Sequence, residues 1–165
     1  MSWSDRRQIL AGLAAVGLLA GCGFQPAYAP GQSGDSLRGQ ILPKAASNKQ
    51  SFIFVDRIED RLGRNDAAPY QLNYSMNLSS EGLAKTPSNS TYRYHLKGRL
   101  TYSVVDRNTN EVLTSGMVRN FTGYSAIGTT VATRASQTDA RERLMILMAD
   151  EVVSRLYATA PSWLP

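Results

Sequence analysis

The segment TYRYHLKGRLTYSVV, residues 91–105, alternates two kinds of side chain with a period of two. Its even positions, from Tyr92 to Val104, are aromatic or aliphatic apart from one glycine. Its odd positions after Thr91 are first basic, with Arg93, His95, Lys97 and Arg99. Successive side chains of a β-strand point to opposite faces of the sheet. The segment therefore predicts a long strand with one face in a core and a basic face in water.

Two neighbouring segments carry similar patterns. Residues 70–79 alternate apolar and polar side chains, and residues 112–124 return through Val118 and Phe121 with Arg119 at a polar position. A turn at residues 106–110 and a polar loop at residues 82–89 separate them. Three consecutive strands with short connections predict antiparallel pairing. A short additional strand is predicted at residues 36–42, ended by Pro43.

Two segments have helical spacing. In residues 51–62, apolar side chains recur at Phe52, Val55, Ile58 and Leu62, which predicts a helix capped by Ser51 and ended by Gly63. A strand through residues 52–55 is the competing interpretation. After a connection of small residues at 123–133, a second helix starts no later than position 136 and runs to about position 158. Its predicted buried stripe is Ala140, Leu144, Leu147, Met148, Val152 and Leu156.

The element order is β-α-β-β-β-α, because the two helices flank the three consecutive strands. Two amphipathic helices cover one sheet face, so the prediction is an α+β two-layer sandwich. Both helices then pack on one face of a four-stranded, mostly antiparallel sheet. We expect this single domain to span residues 36–160, followed by a short tail at 161–165.

The N-terminal segment has the features of an export signal. Arg6 and Arg7 precede an apolar run at residues 9–20, and Leu19-Ala20-Gly21 stands directly before Cys22, the only cysteine. The run has about a dozen residues, whereas a transmembrane helix needs about 20. We therefore predict a lipoprotein signal peptide at 1–21, lipidation of Cys22 by acyl groups such as palmitate, and a Pro/Gly-rich tether at 22–35. An ordinary secretory signal, and export by the twin-arginine route, stay open.

The composition narrows the class of function. The 165 residues carry a formal net charge of +5, which in an exported protein favours anionic lipid over nucleic acid as partner. His95 is the only histidine, and Asp56, Glu59 and Asp60 fall on the outer face of the first predicted helix. No nucleophile–base pair, metal-ligand cluster or phosphate loop is recognisable. We expect a protein that is not an enzyme and binds no metal or cofactor.

The basic strand face is the candidate binding site. Alternate side chains on it are about 7 Å apart, and arginine pairs bidentately with phosphate. The hypothesis is that Arg93, Lys97 and Arg99, with Arg119, contact an anionic glycolipid. The alternative is that these charges only make an exposed sheet face soluble.

The chain resembles a known family in three places. Cys22-Gly23-Phe24-Gln25-Pro26-Ala27-Tyr28 is similar to the Cys-Gly-Phe-x-Pro-x-Tyr start of the lipopolysaccharide-assembly lipoproteins (LptE). The paired long strands at 92–105 and 112–124 are also similar. So is the closing helix with Ala140, Arg143, Leu144, Ala149, Arg155 and Leu156.

The resemblance implies two helices on a four-stranded sheet, in a lipoprotein that plugs the β-barrel of the lipopolysaccharide translocon (LptD-like). It implies lipopolysaccharide as the transported partner, Cys22 as the lipidated residue, and a place in the outer membrane on its periplasmic side. Gly23 stands where an aspartate would typically retain a lipoprotein at the inner membrane. A lipid-anchored adaptor of another envelope transport or peptidoglycan-synthesis complex is the alternative function.

Overall fold

The structure, a computed structural model, describes residues 37–85 and 91–164 of the chain. Its elements in order are β1 (Ile41–Pro43), α1 (Lys49–Leu62), β2 (Tyr70–Lys85), β3 (Thr91–Asp106), β4 (Val112–Ser125), α2 (Thr130–Thr159) and a 3-10 turn (Ala160–Ser162). The sheet order is β1-β2-β3-β4, with β1 parallel to β2 and the other pairs antiparallel. The predicted α+β architecture is confirmed. The signal peptide, Cys22 and the tether lie outside the described residues.

The two faces of β3 are those predicted. Leu96, Leu100 and Val104 are buried against the helices, whereas Arg93, Lys97 and Arg99 are exposed on the other face. Helix α2 reaches the sheet closely at Gly98, where an added Cβ would lie 2.5 Å from Met148 Sδ. Both helices therefore lie on one side, and the basic face stays open.

Helix α1 corrects the predicted cap and the predicted apolar face. It begins at Lys49 with Asn48 as N-cap, and Ser51 completes a capping box by accepting from the Asn48 backbone N–H at 2.9 Å. Phe54 is fully buried and Phe52 is 62% exposed. The prediction placed Phe52 on the core face because residues 52–55 are all apolar, and spacing alone could not select among them. The predicted core residues Ile58 and Leu62 are fully buried, and Val55 is half-buried against the core. The predicted end is confirmed, since Gly63 caps the helix at φ 78°.

Helix α2 is longer than its predicted minimum. It starts at Thr130, capped by the Thr129 hydroxyl, so the small-residue connection shrinks to residues 126–129. The predicted stripe is buried except for Leu147, which is 44% exposed. Met145, Ala149 and Val153 complete the buried face. None of the helices in the described ranges combines the length and the apolar character that a membrane crossing requires.

Two strand boundaries differ from the prediction. Strand β1 keeps only Ile41–Pro43, because a turn with Gly39 at φ 69° occupies residues 37–40. Strand β2 continues through Gly82 to Lys85, so the first half of the predicted polar loop is strand. The side-chain pattern of residues 82–85 did not predict a strand. Their backbone groups nevertheless form hydrogen bonds with β3, which extends β2 to Lys85.

Candidate functional site

The open face of the sheet forms a shallow groove of about 730 Å³ across β2, β3 and β4. Three of the four predicted contact residues line it together, namely Lys97, Arg99 and Arg119. Arg93 does not line this groove, and borders a separate depression of about 380 Å³ nearer the end of the sheet. The structure therefore divides the predicted basic stripe into a cluster of three cations and one distant cation.

Arg99 and Arg119 are directly opposite each other on β3 and β4. Both side chains are exposed, and no carboxylate among the described residues forms an ion pair with either one. Like charges at directly opposed positions of a sheet repel each other. The pair is thus a local excess of positive charge that an anion with several oxygens would relieve.

Lys97 differs from the two arginines because its charge is already compensated. Its ammonium group forms an ion pair with Glu81, which lies on the neighbouring strand β2. The hydrogen bond from Lys97, together with its charge, lowers the pKa of the Glu81 carboxyl below its ordinary value of 4.5. Glu81 therefore reduces the positive charge of the groove at neutral pH.

One wall of the groove is aromatic. The Phe121 side chain is 60% exposed and its ring centroid lies 5.1 Å from that of His95. Phe121 is not among the contact residues predicted from the sequence, where it stands with Val118 in the last predicted strand. Their spacing of three puts them on opposite faces, because strand side chains alternate with a period of two. That signal was present in the sequence and identifies Phe121 as a groove residue.

The polar floor of the groove comes from β2. Asn77 is opposite Arg99 and Ser79 is opposite Lys97, so neutral hydrogen-bonding groups lie beside the cations. Neither residue was singled out from the sequence, because the register between β2 and β3 decides which cation each one faces. In the part of the chain that the structure describes, no group of three His, Cys, Asp or Glu side chains could hold a metal ion.

A family model described as lipopolysaccharide-assembly, LptE, matches residues 42–156, which is most of the described fold. The chain belongs to the LptE family. This LptE-family chain is accordingly a lipopolysaccharide-assembly lipoprotein by family. Comparison with curated protein sequences gives no significant match.

Solved structures share the fold of this LptE-family chain. A Caulobacter crescentus protein assigned as a lipoprotein has a TM-score of 0.66 at 20% identity, covering 81% of this chain and 98% of its own. Rare lipoprotein B from Shewanella oneidensis has a TM-score of 0.59 at 13% identity, covering 74% and 96%. A minor lipoprotein from Acinetobacter baumannii has a TM-score of 0.51 at 15% identity, covering 72% and 89%. At these identities the likeness shows the fold alone.

Proposed function

We propose that this protein is an outer-membrane lipoprotein that plugs the lumen of the lipopolysaccharide-translocon β-barrel (LptD-like) and assists lipopolysaccharide assembly at the cell surface. Acyl groups on Cys22 hold it at the periplasmic side, residues 22–35 form the tether, and residues 36–160 form the plug. The role is non-catalytic and uses no cofactor. The observation that carries the proposal is the family match over residues 42–156.

The open sheet face supports a place inside a water-filled barrel. The groove on this face is lined mainly by hydroxyl, amide and basic side chains, with the Phe121 ring as its apolar wall, so most of this face needs no apolar cover. Long strand edges expose unpaired backbone groups, and a surrounding barrel wall shields them from other chains. Several acyl chains at about 0.8 kcal/mol per buried CH₂ would hold the domain durably at the bilayer.

Arg93, Lys97, Arg99 and Arg119 are the proposed lipopolysaccharide contacts. Arg99 and Arg119 are the central pair, since they are opposed and uncompensated. Phosphate groups on a glycolipid would accept hydrogen bonds from both guanidinium groups. Lys97 contributes less while Glu81 is bound to it, and Arg93 meets a part of the ligand outside the main groove.

We expect the tagged full-length chain to co-purify with the translocon barrel from outer-membrane extract and to make the barrel lumen resistant to protease. Cys22→Ser, which removes the acylated thiol, is expected to remove most of the protein from the outer-membrane fraction. The measurements are affinity capture with mass spectrometry of the partners, and fractionation with mass analysis of the mature N-terminus. Capture of a different envelope complex would favour the adaptor function. Full outer-membrane retention of the serine variant would contradict the anchor.

Glu81→Gln is expected to strengthen lipopolysaccharide binding about two- to fivefold, because it frees Lys97 from its ion pair without changing the shape of the side chain. Lowering the pH through the depressed pKa of Glu81 is expected to act in the same direction, since protonation also removes the carboxylate charge. The measurement is binding of purified protein to lipopolysaccharide in detergent. Asp66→Gln is a control, since Asp66 lies outside the groove. Weaker binding by the Glu81 variant would mean that Lys97 does not contact the ligand.

A further inference from the structure

The Phe121 ring differs in character from the rest of the groove. It is 60% exposed, whereas every other side chain that lines the groove is polar or basic. Both helices pack on the opposite face of the sheet, so the ring makes no contact with the core. Phe121 lies two positions from Arg119 along β4 and is directly opposite Lys97 on β3. An apolar ring with an uncovered face is therefore placed among groups that bind anions.

His95 extends this ring into an aromatic patch, which consists of His95 and Phe121. The two ring centroids are 5.1 Å apart and the ring planes are inclined by 40°. The residue directly opposite His95 on β4 is Gly123, which has no side chain to cover the imidazole. A Cβ added at Gly123 would lie 4.0 Å from His95 Cδ2, which is an ordinary contact. Packing therefore tolerates a side chain there, and the glycine leaves the imidazole side of the patch open.

Cations lie on both sides of the aromatic patch. The opposed pair Arg99 and Arg119 lies toward the middle of the sheet, and Arg119 is about 7 Å from Phe121 along the strand. Arg93 lies toward the end of the sheet, two positions from His95 on the same face of β3. The hydroxyl group of Ser79 is nearby on β2, because Ser79 is opposite Lys97.

This combination of groups matches a phosphorylated sugar. One face of a sugar ring presents C–H groups, which are attracted to the electron-rich face of an aromatic ring. Its hydroxyl groups exchange hydrogen bonds with Ser79 and Asn77, and a phosphate accepts hydrogen bonds from guanidinium groups. A fatty acyl chain would contact Phe121 equally well but would displace water from Lys97 and Arg119 without replacing its hydrogen bonds.

We propose that the aromatic patch is a carbohydrate subsite, in which one sugar ring of the glycolipid stacks on Phe121 and His95 while a phosphate of the same glycolipid is bound by Arg99 and Arg119. This inference rests on the proposed function in taking the glycolipid to be lipopolysaccharide. The groove then holds the phosphorylated sugar part and leaves the acyl chains outside. A lipopolysaccharide without acyl chains is therefore sufficient for binding.

The first test uses lipopolysaccharide from which all fatty acyl chains have been removed and the phosphates retained. His95 is the only histidine of the chain, so its imidazole protons give one NMR signal set within the patch. In the protein purified in detergent through a tag without histidine, we expect saturable shifts of these signals. The same oligosaccharide without its phosphates is expected to bind about fivefold more weakly or worse, and so is dodecyl phosphate, which has a phosphate and a chain but no sugar.

The second test compares the two most exposed phenylalanines. Phe121→Leu keeps an apolar side chain but removes the aromatic face, and is expected to weaken binding of the deacylated oligosaccharide about three- to tenfold. Phe121→Trp restores an aromatic face and is expected to keep the affinity within about twofold. Phe52→Leu is the matched control, since Phe52 is 62% exposed on α1, and is expected to leave binding unchanged.

A third variant closes the patch without removing any contact group. Gly123→Thr puts a side chain beside the imidazole and is expected to weaken binding of the deacylated oligosaccharide about fivefold or more. Threonine suits a strand, so the fold is expected to be kept. Circular dichroism of every variant checks this.

Three results would overturn the carbohydrate subsite. The first is binding of intact lipopolysaccharide without binding of the deacylated oligosaccharide, which would assign the groove to the acyl chains and leave the proposed function intact. The second is dodecyl phosphate binding as tightly as the oligosaccharide. The third is equal affinity of the Phe121→Leu variant and the unchanged protein. Conversely, binding of the oligosaccharide by a protein that captures no barrel would support the subsite and contradict the plug function alone.

Discussion

Replacing Phe54 with alanine is expected to lower the free energy of unfolding by about 3–5 kcal/mol. The side chain is fully buried, and its ring centroid lies 4.9 Å from that of Tyr74 on β2. It fastens α1 to the sheet, so truncation leaves a cavity between the two layers and removes an aromatic contact. The measurement is urea unfolding of the purified protein followed by circular dichroism.

Phe52→Ala is the matched control, because it makes the same change two residues earlier in the same helix. Phe52 is 62% exposed, so its truncation is expected to change the free energy of unfolding by less than about 1 kcal/mol. Equal losses for the two variants, or a larger loss at Phe52, would restore the helix face predicted from spacing alone and reject the observed packing of α1.

The double replacement Arg99→Ser with Arg119→Ser is expected to weaken lipopolysaccharide binding about tenfold or more. Each guanidinium group is placed to donate hydrogen bonds to a phosphate, and a hydrogen bond to a charged group contributes about 1.5–3 kcal/mol when desolvated. Exposure and salt screening reduce that contribution, and tenfold is the conservative expectation. The measurement is lipopolysaccharide binding at two salt concentrations, since the electrostatic loss shrinks as ionic strength rises.

The control for this variant removes the same charge elsewhere. Arg134→Ser with Arg141→Ser takes two arginines from α2, away from the open face. If both double variants lose affinity equally, net charge rather than the opposed pair controls binding. Unchanged binding by the Arg99 and Arg119 variant would leave these residues as solubilising charges on an exposed sheet face.

The sequence predicted the element order and the faces of β3 because alternation is a local property of a strand. It failed where several apolar residues stood together. Residues 52–55 are four consecutive apolar residues, and only packing against Tyr74 selects Phe54 as the most buried of them. It also ended β2 too early, because the segment from Gly82 resembles a loop until β3 supplies its hydrogen-bond partners.

The candidate site was predicted in part for the same reason. Lys97, Arg99 and Arg119 are recognisable as exposed cations from their positions in alternating strands. The sequence does not show that the charge of Lys97 is compensated while those of Arg99 and Arg119 are not. Glu81 is far from Lys97 along the chain and contacts it only through the β2–β3 register.

The sequence by itself therefore determined which face of each strand is exposed to solvent, because that follows from the alternation of neighbouring side chains along a strand. The tertiary structure alone decided which charges are compensated and which backbone groups at the edge of β4 are bonded by side chains. Those properties depend on strand register and on the reach of Arg143 and Arg155 from α2 to β4, which are contacts between residues distant in the chain.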